Sequence, residues 1–206
     1  MRWKFPAGHG VTGPIAGLGR RAYAATPDSL VSLDIDTGTR RWSRAIKVPG
    51  FEGPAAAANR VFAGTLDGFV YGLNAETGQD EWRTSLGAPV TTSVTVDDAQ
   101  VYVGAENGML YRVDSRNGAV LSSLKLDETL RPRSVPVVAN DAVLVLLTDE
   151  AAEYRALVSM DLKLERIRWR LIAPKAWSTS RVFAWNDAFV VGTTSGEILA
   201  YRATDG

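Results

Sequence analysis

The segment LVSLDIDTGTRRW, Leu30 to Trp42, returns as VYGLNAETGQDEW, Val70 to Trp82. A hydrophobic pair, an acid or amide, a Thr-Gly pair and a tryptophan at fixed spacing mark copies of one small structural unit. No other feature constrains the fold as tightly. Five registers can be aligned: LVSLDIDTG from Leu30, VYGLNAETG from Val70, LYRVDSRNG from Leu110, LVSMDLKLE from Leu157 and ILAYRATDG from Ile198. The first three start 40 residues apart and the next two steps are 47 and 41. The extra residues fall at DEAAEYRA, 149–156, which reads as a lengthened loop.

Two further blocks precede each motif. VFAGTLDG, VYVGAENG and FVVGTTSG share paired glycines at Gly64/Gly68, Gly104/Gly108 and Gly192/Gly196, and AYAATPDS is a weaker copy. Earlier still come GPIAG, GPAAA, SVTVD, VPVVA and RVFAW. With the strand that ends near the tryptophan, these make four short strands per unit. The segments are rich in β-branched, aromatic and aliphatic residues and are bounded by Gly, Asn and Asp. The D-G, N-G and S-G pairs suit hairpins, because glycine accepts the positive φ of such turns. No window keeps a 3.6-residue period, so helix is not expected. Four strands every 40 or so residues is the period of a β-propeller blade. The expected fold is therefore all-β, one domain over residues 1–206, with about five blades whose motifs end near 42, 82, 122, 169 and 206.

Ser32-x-Asp34-x-x-Thr37-Gly38-x-x-x-Trp42 resembles the tryptophan-docking motif of the PQQ-like, BamB-like propeller repeat family, Ala-x-Asp-x-x-Thr-Gly-x-x-x-Trp. The second copy keeps Asn74, Thr77, Gly78 and Trp82, and the third keeps Asp114 and Gly118 with Ser122 in the tryptophan position. The fourth keeps Asp161 and Trp169 but has Leu164-Glu165 for Thr-Gly, and the fifth keeps Gly206. The resemblance implies that the tryptophan packs between neighbouring blades with the Thr-Gly turn against it, so these residues are structural. Trp3 stands as an outer-strand tryptophan. Two arrangements stay open: the N-terminal strand closes a five-bladed ring, or the chain is a segment of a seven- or eight-bladed propeller.

Lys+Arg and Asp+Glu both number 23, which disfavours nucleic acid, since phosphate binding needs a concentrated positive surface. No cysteine is present, which excludes disulfides, thiol nucleophiles and Cys-ligated metals. MRWKFPAGHG has no apolar signal region, and no run has the 18 or more apolar residues of a membrane span. The family also contains PQQ-dependent dehydrogenases, which hold calcium with Glu, Asn and Asp. The adjacent acids Asp97-Asp98 and Asp149-Glu150 fall where hairpin loops are expected, and one histidine, His9, makes no metal site or triad. No catalytic, cofactor or metal residues are expected. The reading is a non-enzymatic scaffold, with a fragment of a PQQ-type oxidoreductase or the sensor propeller of a larger regulatory protein as alternatives.

Leu130-Arg131-Pro132-Arg133-Ser134-Val135-Pro136 resembles the Leu-Arg-Gly-x-Ser-x-Pro segment of BamB-like propellers. The resemblance implies a protein partner within the outer-membrane β-barrel assembly machinery, a cell-envelope location, and Leu130 and Arg131 as contacts. The repeat points to the same place. The connections that lead into the inner strands carry His9, Phe51, Arg131, Arg133 and Trp177, and symmetry gathers them around one mouth. Arginine and large aromatics are enriched at interface centres. Charge reversal at Arg131 and Arg133 is expected to abolish partner capture and to leave the melting temperature alone.

Overall fold

The computed structural model describes the chain except residues 1, 8–9, 49–52, 152–154, 174–181 and 194–195 and the side chains of Thr12 and Ala173. The described residues form antiparallel meanders and no helix. Blade 1 is β1 (Thr12–Leu18), β2 (Arg21–Ala25), β3 (Leu30–Asp34) and β4 (Arg40–Arg44). Blade 2 is β5 (Ala55–Ala57), β6 (Arg60–Gly64), β7 (Phe69–Asn74) and β8 (Asp80–Ser85). Blade 3 is β9 (Thr95–Asp97), β10 (Gln100–Gly104), β11 (Met109–Asp114) and β12 (Val120–Lys125). In blade 4 the inner strand is split into β13 (Arg131–Pro132) and β14 (Val137–Ala139), both paired with β15 (Ala142–Thr148), followed by β16 (Arg155–Asp161) and β17 (Ile167–Ala173). Blade 5 has three strands, β18 (Phe183–Trp185), β19 (Ala188–Gly192) and β20 (Ile198–Arg202).

The core lies between blades rather than within them. One cluster joins Tyr23, Leu30 and Trp42 to Val61, Tyr71 and Leu73 across blades 1 and 2. Others join Phe62 and Trp82 to Val101 and Val103, Tyr102 and Leu110 to Val143 and Val158, and Leu144 and Leu157 to Phe189 and Val191. Sheets covered on both faces explain why β3 and β15 are buried at every residue instead of alternating. The inner strands pack in the order β1, β5, β9, β14, β18. At the two ends, Ile15 on β1 and Phe183 on β18 are both 62% exposed.

The repeated motif builds one device. Asp34 Oδ1 accepts hydrogen bonds from the amides of Asp36 and Thr37, both at 3.0 Å, and from the Thr37 hydroxyl at 3.1 Å. Asn74 accepts from Glu76 and Thr77, Asp114 from Arg116, and Asp161 from Lys163, Glu165 and Arg166. An Asp or Asn side chain is the residue that closes such a turn on its own backbone. The Arg41 guanidinium, aided by the turn amides, holds the Asp34 carboxyl well below the usual range, and Arg116 brings Asp114 down to about 2.

Into each turn reaches the tryptophan of the preceding blade. Trp42 Nε1 donates to the Ala75 carbonyl at 3.0 Å, Trp82 to Ser115 at 3.0 Å and Trp169 to Ala203 at 3.2 Å. Their rings lie on Gly78, Gly118 and Gly206. Trp3 does the same on blade 1, with Nε1 donating to Ile35 at 2.8 Å and its ring on Gly38. Residues 2–7 are nevertheless in no strand, and β20 pairs only with β19 among the described residues. The N-terminal closure is thus not formed here.

The joint between blades 3 and 4 is built differently. Ser122 replaces the tryptophan, and its hydroxyl donates to the Lys163 carbonyl. On the receiving turn Leu164-Glu165 stands in place of Thr-Gly: Leu164, at the threonine position, takes a φ of 56° and is 2% exposed, so it fills the joint from the other side. The carbonyl that a tryptophan would meet, Leu162, instead accepts from the Tyr102 hydroxyl at 2.9 Å and from Arg112 at 3.4 Å. Burial pushes the Tyr102 hydroxyl up to about 12. Tyr23 is its counterpart in blade 1, and its hydroxyl shares the Ala75 carbonyl with Trp42 at 3.1 Å. Tyr102→Phe is therefore expected to cost about 1 kcal/mol, the worth of a buried hydrogen bond. Tyr23→Phe costs less, because Trp42 at 3.0 Å still satisfies its acceptor, whereas the Leu162 carbonyl keeps only the longer bond from Arg112 at 3.4 Å. Urea denaturation of the two variants side by side checks the order.

Candidate functional site

In an antiparallel meander the link between the second and third strands and the link from one blade to the next lie at the same end. That end carries Glu106–Gly108 of blade 3 and the connection Leu126–Ser134 into blade 4. Asp127 organises this connection, accepting from the amides of Thr129 at 2.7 Å and Leu130 at 2.8 Å and from the Thr129 hydroxyl at 3.0 Å. Arg170 of β17 pairs with it at 2.5 Å. Burial pushes the Asp127 carboxyl up, but these amides and Arg170 outweigh burial and hold it below the usual carboxylate range.

Two arginines project from the strand that follows. Arg131 Nη1 donates to the carbonyls of Glu128 at 3.0 Å and Leu130 at 3.1 Å. Arg133 makes a two-pronged pair with Glu106 of blade 3, at 3.0 and 3.2 Å. Both sides of that pair are about one-third exposed, at 33% and 37%. Pro132 faces the other way, onto Gly104, and its carbonyl accepts from the Thr91 hydroxyl at 3.0 Å. Gly108 has to be a glycine: its φ is +76°, and a Cβ there would stand 2.7 Å from the Asp127 carbonyl oxygen. At the same end a cleft of about 610 Å³ opens between blades 1 and 2, lined by Asp28, Ile46, Lys47, Leu66, Asp67 and Tyr71.

The sequence expectations divide accordingly. Arg131 and Arg133 lie together at this end and reach the surface. Leu130 does not: it is 6% exposed, packed with Leu126 and Val145 between blades 3 and 4, and is core rather than a contact. Its register could have shown this, since it falls 40 residues after Val90, another buried apolar residue. Ser134 is also structural, accepting from the Leu146 amide at 2.9 Å as Thr92 does from Gly104. His9, Phe51 and Trp177 lie outside the described residues. Glu106, Asp127 and Arg170 were not anticipated. The Arg133–Glu106 pair also corrects the stability expectation, because Arg133→Glu sets two carboxylates face to face across a blade joint. An exposed pair of this kind contributes about 0.2–1 kcal/mol, so reversal there lowers the melting temperature as well.

The acid pairs are where hairpin loops were expected. Asp97 ends β9, Asp98 turns with φ 49°, and Asp149-Glu150 follows β15. Burial and the charge of Asp98 push the Asp97 carboxyl up. Among the described residues no three His, Cys, Asp or Glu side chains gather, and no helix is long and apolar enough to cross a membrane.

Antiparallel sheets, mostly four-stranded, joined by tryptophans that sit on the glycine turns of the next blade define a β-propeller of PQQ-type repeats. The chain belongs to the family of the outer membrane protein assembly factor BamB, whose sequence profile matches residues 27–206. No curated protein matches it in sequence. Among solved structures it is similar to BamB from Moraxella catarrhalis, at 19% identity and a TM-score of 0.78, over 99% of this chain and 65% of that one. It is also similar to quinohemoprotein alcohol dehydrogenase ADHIIG from Pseudomonas putida HK5, at 15% identity and a TM-score of 0.72, over 94% and 42% of the two chains. The corresponding enzyme from Comamonas testosteroni gives 15%, a TM-score of 0.71, and 94% and 43%. The chain spans less than two thirds of the length of each of these proteins.

Proposed function

We propose that this chain is a non-catalytic scaffold of the bacterial cell envelope that binds another protein through the Arg131–Arg133 end of the propeller. The partner is a component of the outer-membrane β-barrel assembly machinery. One observation carries the reading: a connection braced by Asp127 and Arg170 presents two arginines where the repeat demands none. A rigid scaffold with variable connections is where binding residues concentrate. Membership of the BamB family and the similarity to a BamB structure support the partner class.

Arg131 is the residue to test, because its bonds to main-chain carbonyls lie within one connection and tie no two blades together. Arg131→Glu should weaken capture of the purified assembly machinery at least tenfold in a biolayer binding assay, with an unchanged melting curve. The doubly swapped Glu106→Arg/Arg133→Glu chain keeps the blade-to-blade pair and removes the arginine from position 133, so it separates binding from stability. Equal capture by both variants overturns the reading. So does calcium-dependent binding of PQQ with reduction of a redox dye, which would make the chain an oxidoreductase.

A further inference from the structure

The joint between blades 1 and 2 is built from the same parts as the joint between blades 2 and 3 but stays open at the end that carries the connections. Between blades 2 and 3 the Tyr111 hydroxyl donates to the Leu86 carbonyl at 3.2 Å and accepts from Asn107 Nδ2 at 2.7 Å. The Leu86 amide donates to the Gly68 carbonyl at 2.8 Å, as Leu126 does to Gly108 at 3.0 Å one blade later, so each connection is tied to the hairpin of its own blade. One repeat earlier the counterparts of Tyr111, Asn107 and Leu86 are Tyr71, Asp67 and Ile46. The hairpin of blade 1 has four residues between Ala25 and Leu30, against five between Gly64 and Val70, and none of the four is glycine. Ser29 closes it on the Thr26 amide at 2.7 Å, as Phe69 closes the next hairpin on Thr65 at 2.9 Å. The residue left out is therefore the one whose carbonyl would hold the connection, and the Ile46 amide makes no bond to this hairpin among the described residues. The result is the cleft of about 610 Å³, within the size range of ligand sites.

One exchange sets the chemistry of the opening. Asp67 stands where Asn107 stands in the next blade, and a carboxylate cannot donate to a tyrosine hydroxyl. Asp67 Oδ1 accepts from the Thr65 hydroxyl instead. Tyr71 lines the cleft and is only 7% exposed, yet its hydroxyl has no hydrogen-bond partner among the described residues. The cations of the adjoining strands are engaged elsewhere. Arg44 donates to both oxygens of Asp80, at 3.0 and 2.8 Å, and Arg83 lies over the Phe69 ring at 4.6 Å. Asp28 and Asp67 against Lys47 leave the lining negative, while Ile46 and Leu66, the latter 54% exposed, give it an apolar wall. What the cleft lacks is a donor. We propose that it binds an alkylammonium or alkylguanidinium group, whose N–H takes the place that the Asn107 amide holds at the next joint. The nitrogen meets Asp67 and the Tyr71 hydroxyl, and the alkyl stem covers Leu66. A charged donor bonds a carboxylate about twice as strongly as a neutral one, which selects a cation over a neutral amide.

Titration with n-butylammonium and n-butylguanidinium, followed by the NMR signals of the Leu66 and Ile46 methyl groups and the Tyr71 ring, tests the site. Saturable shifts confined to these residues are expected, with n-pentanol binding at least tenfold more weakly. Asp67→Asn should rebuild the contact seen between Asn107 and Tyr111. It is expected to weaken binding of the cation at least tenfold and to raise the melting temperature, so loss of binding cannot be put down to a damaged fold. Tyr71→Phe keeps the ring and removes one acceptor, and should weaken binding about threefold. Asp187→Asn makes the same change of charge on an exposed residue of blade 5 and should leave binding unaltered. A free amine and the basic side chain of a protein present the same group, so a capped Ala-Ala-Lys-Ala-Ala peptide is titrated in parallel. Binding at least fivefold tighter than n-butylammonium assigns the cleft to a protein side chain, and equal or weaker binding assigns it to a free amine. Equal shifts with n-pentanol overturn the proposal, since the cleft is then merely apolar. Affinity unchanged by Asp67→Asn, or no shift at these residues with any probe, overturns it as well.

Discussion

Trp42→Ala is expected to lower the unfolding free energy by about 3–5 kcal/mol, the range for removing a large buried aromatic. The indole is 9% exposed and lies in the cluster that joins blade 1 to blade 2. Truncation removes its packing on Gly78 and its ring contact with Tyr23, with centroids 5.8 Å apart. It also removes the bond to the Ala75 carbonyl, although Tyr23 still reaches that oxygen, so the loss is chiefly one of packing. The opposing residue is a glycine, which has no side chain to fill the space. Arg44 and Asp80, paired at 2.8 Å on the rim of the same joint, hold the blades in register but contribute little energy as an exposed pair. The loss should therefore appear as a shifted urea midpoint, and an unfolding free energy within about 1 kcal/mol of the unmodified chain's would contradict this account of the joint.

How much of this could be read in advance depends on what repeats. Asp34, Thr37, Gly38 and Trp42 recur at fixed spacing, so strand, turn and joint were all legible: each copy repeats one local solution to one packing problem. The blade 3–4 joint was only half legible. Ser122 and Leu164 were visible as departures from the motif, but they compensate each other across 42 residues, and single motifs do not reveal a pair. Tyr102 and Arg112, which serve the carbonyl that the missing tryptophan would have met, carry no mark of that role in sequence. The same holds at the candidate face. Arg131 and Arg133 stood out because the repeat does not require them, whereas Glu106, 27 residues from Arg133, looks like any acid of a hairpin turn. Leu130 was misplaced for the opposite reason: a resemblance to a binding segment was followed where the buried residue one repeat earlier, Val90, pointed to the core.

Gly78→Ala tests the same joint from the other side and should be nearly as damaging. Gly78 has a φ of +72°, which costs an L-residue about 1–2 kcal/mol, and this part persists whatever packs above it. The added Cβ would also stand 2.6 Å from Cδ2 of Trp42, so the ring must move from its seat between Tyr23 and the turn. Such overpacking adds about 1–3 kcal/mol. The two contributions separate in a double-mutant cycle. In a chain that already carries Trp42→Ala the ring is gone, and Gly78→Ala should then cost only its backbone part. The double variant should thus be more stable than the two single losses predict, by about 1–3 kcal/mol, as expected for residues in direct contact. Strict additivity would mean that the glycine serves the turn alone and that the ring is held elsewhere. Coupling would identify Trp-on-Gly as one energetic unit, repeated at Trp82 with Gly118 and at Trp3 with Gly38. At blade 4, where Leu164-Glu165 replaces Thr-Gly, the same cycle with Ser122 has no ring to displace and should show no such coupling.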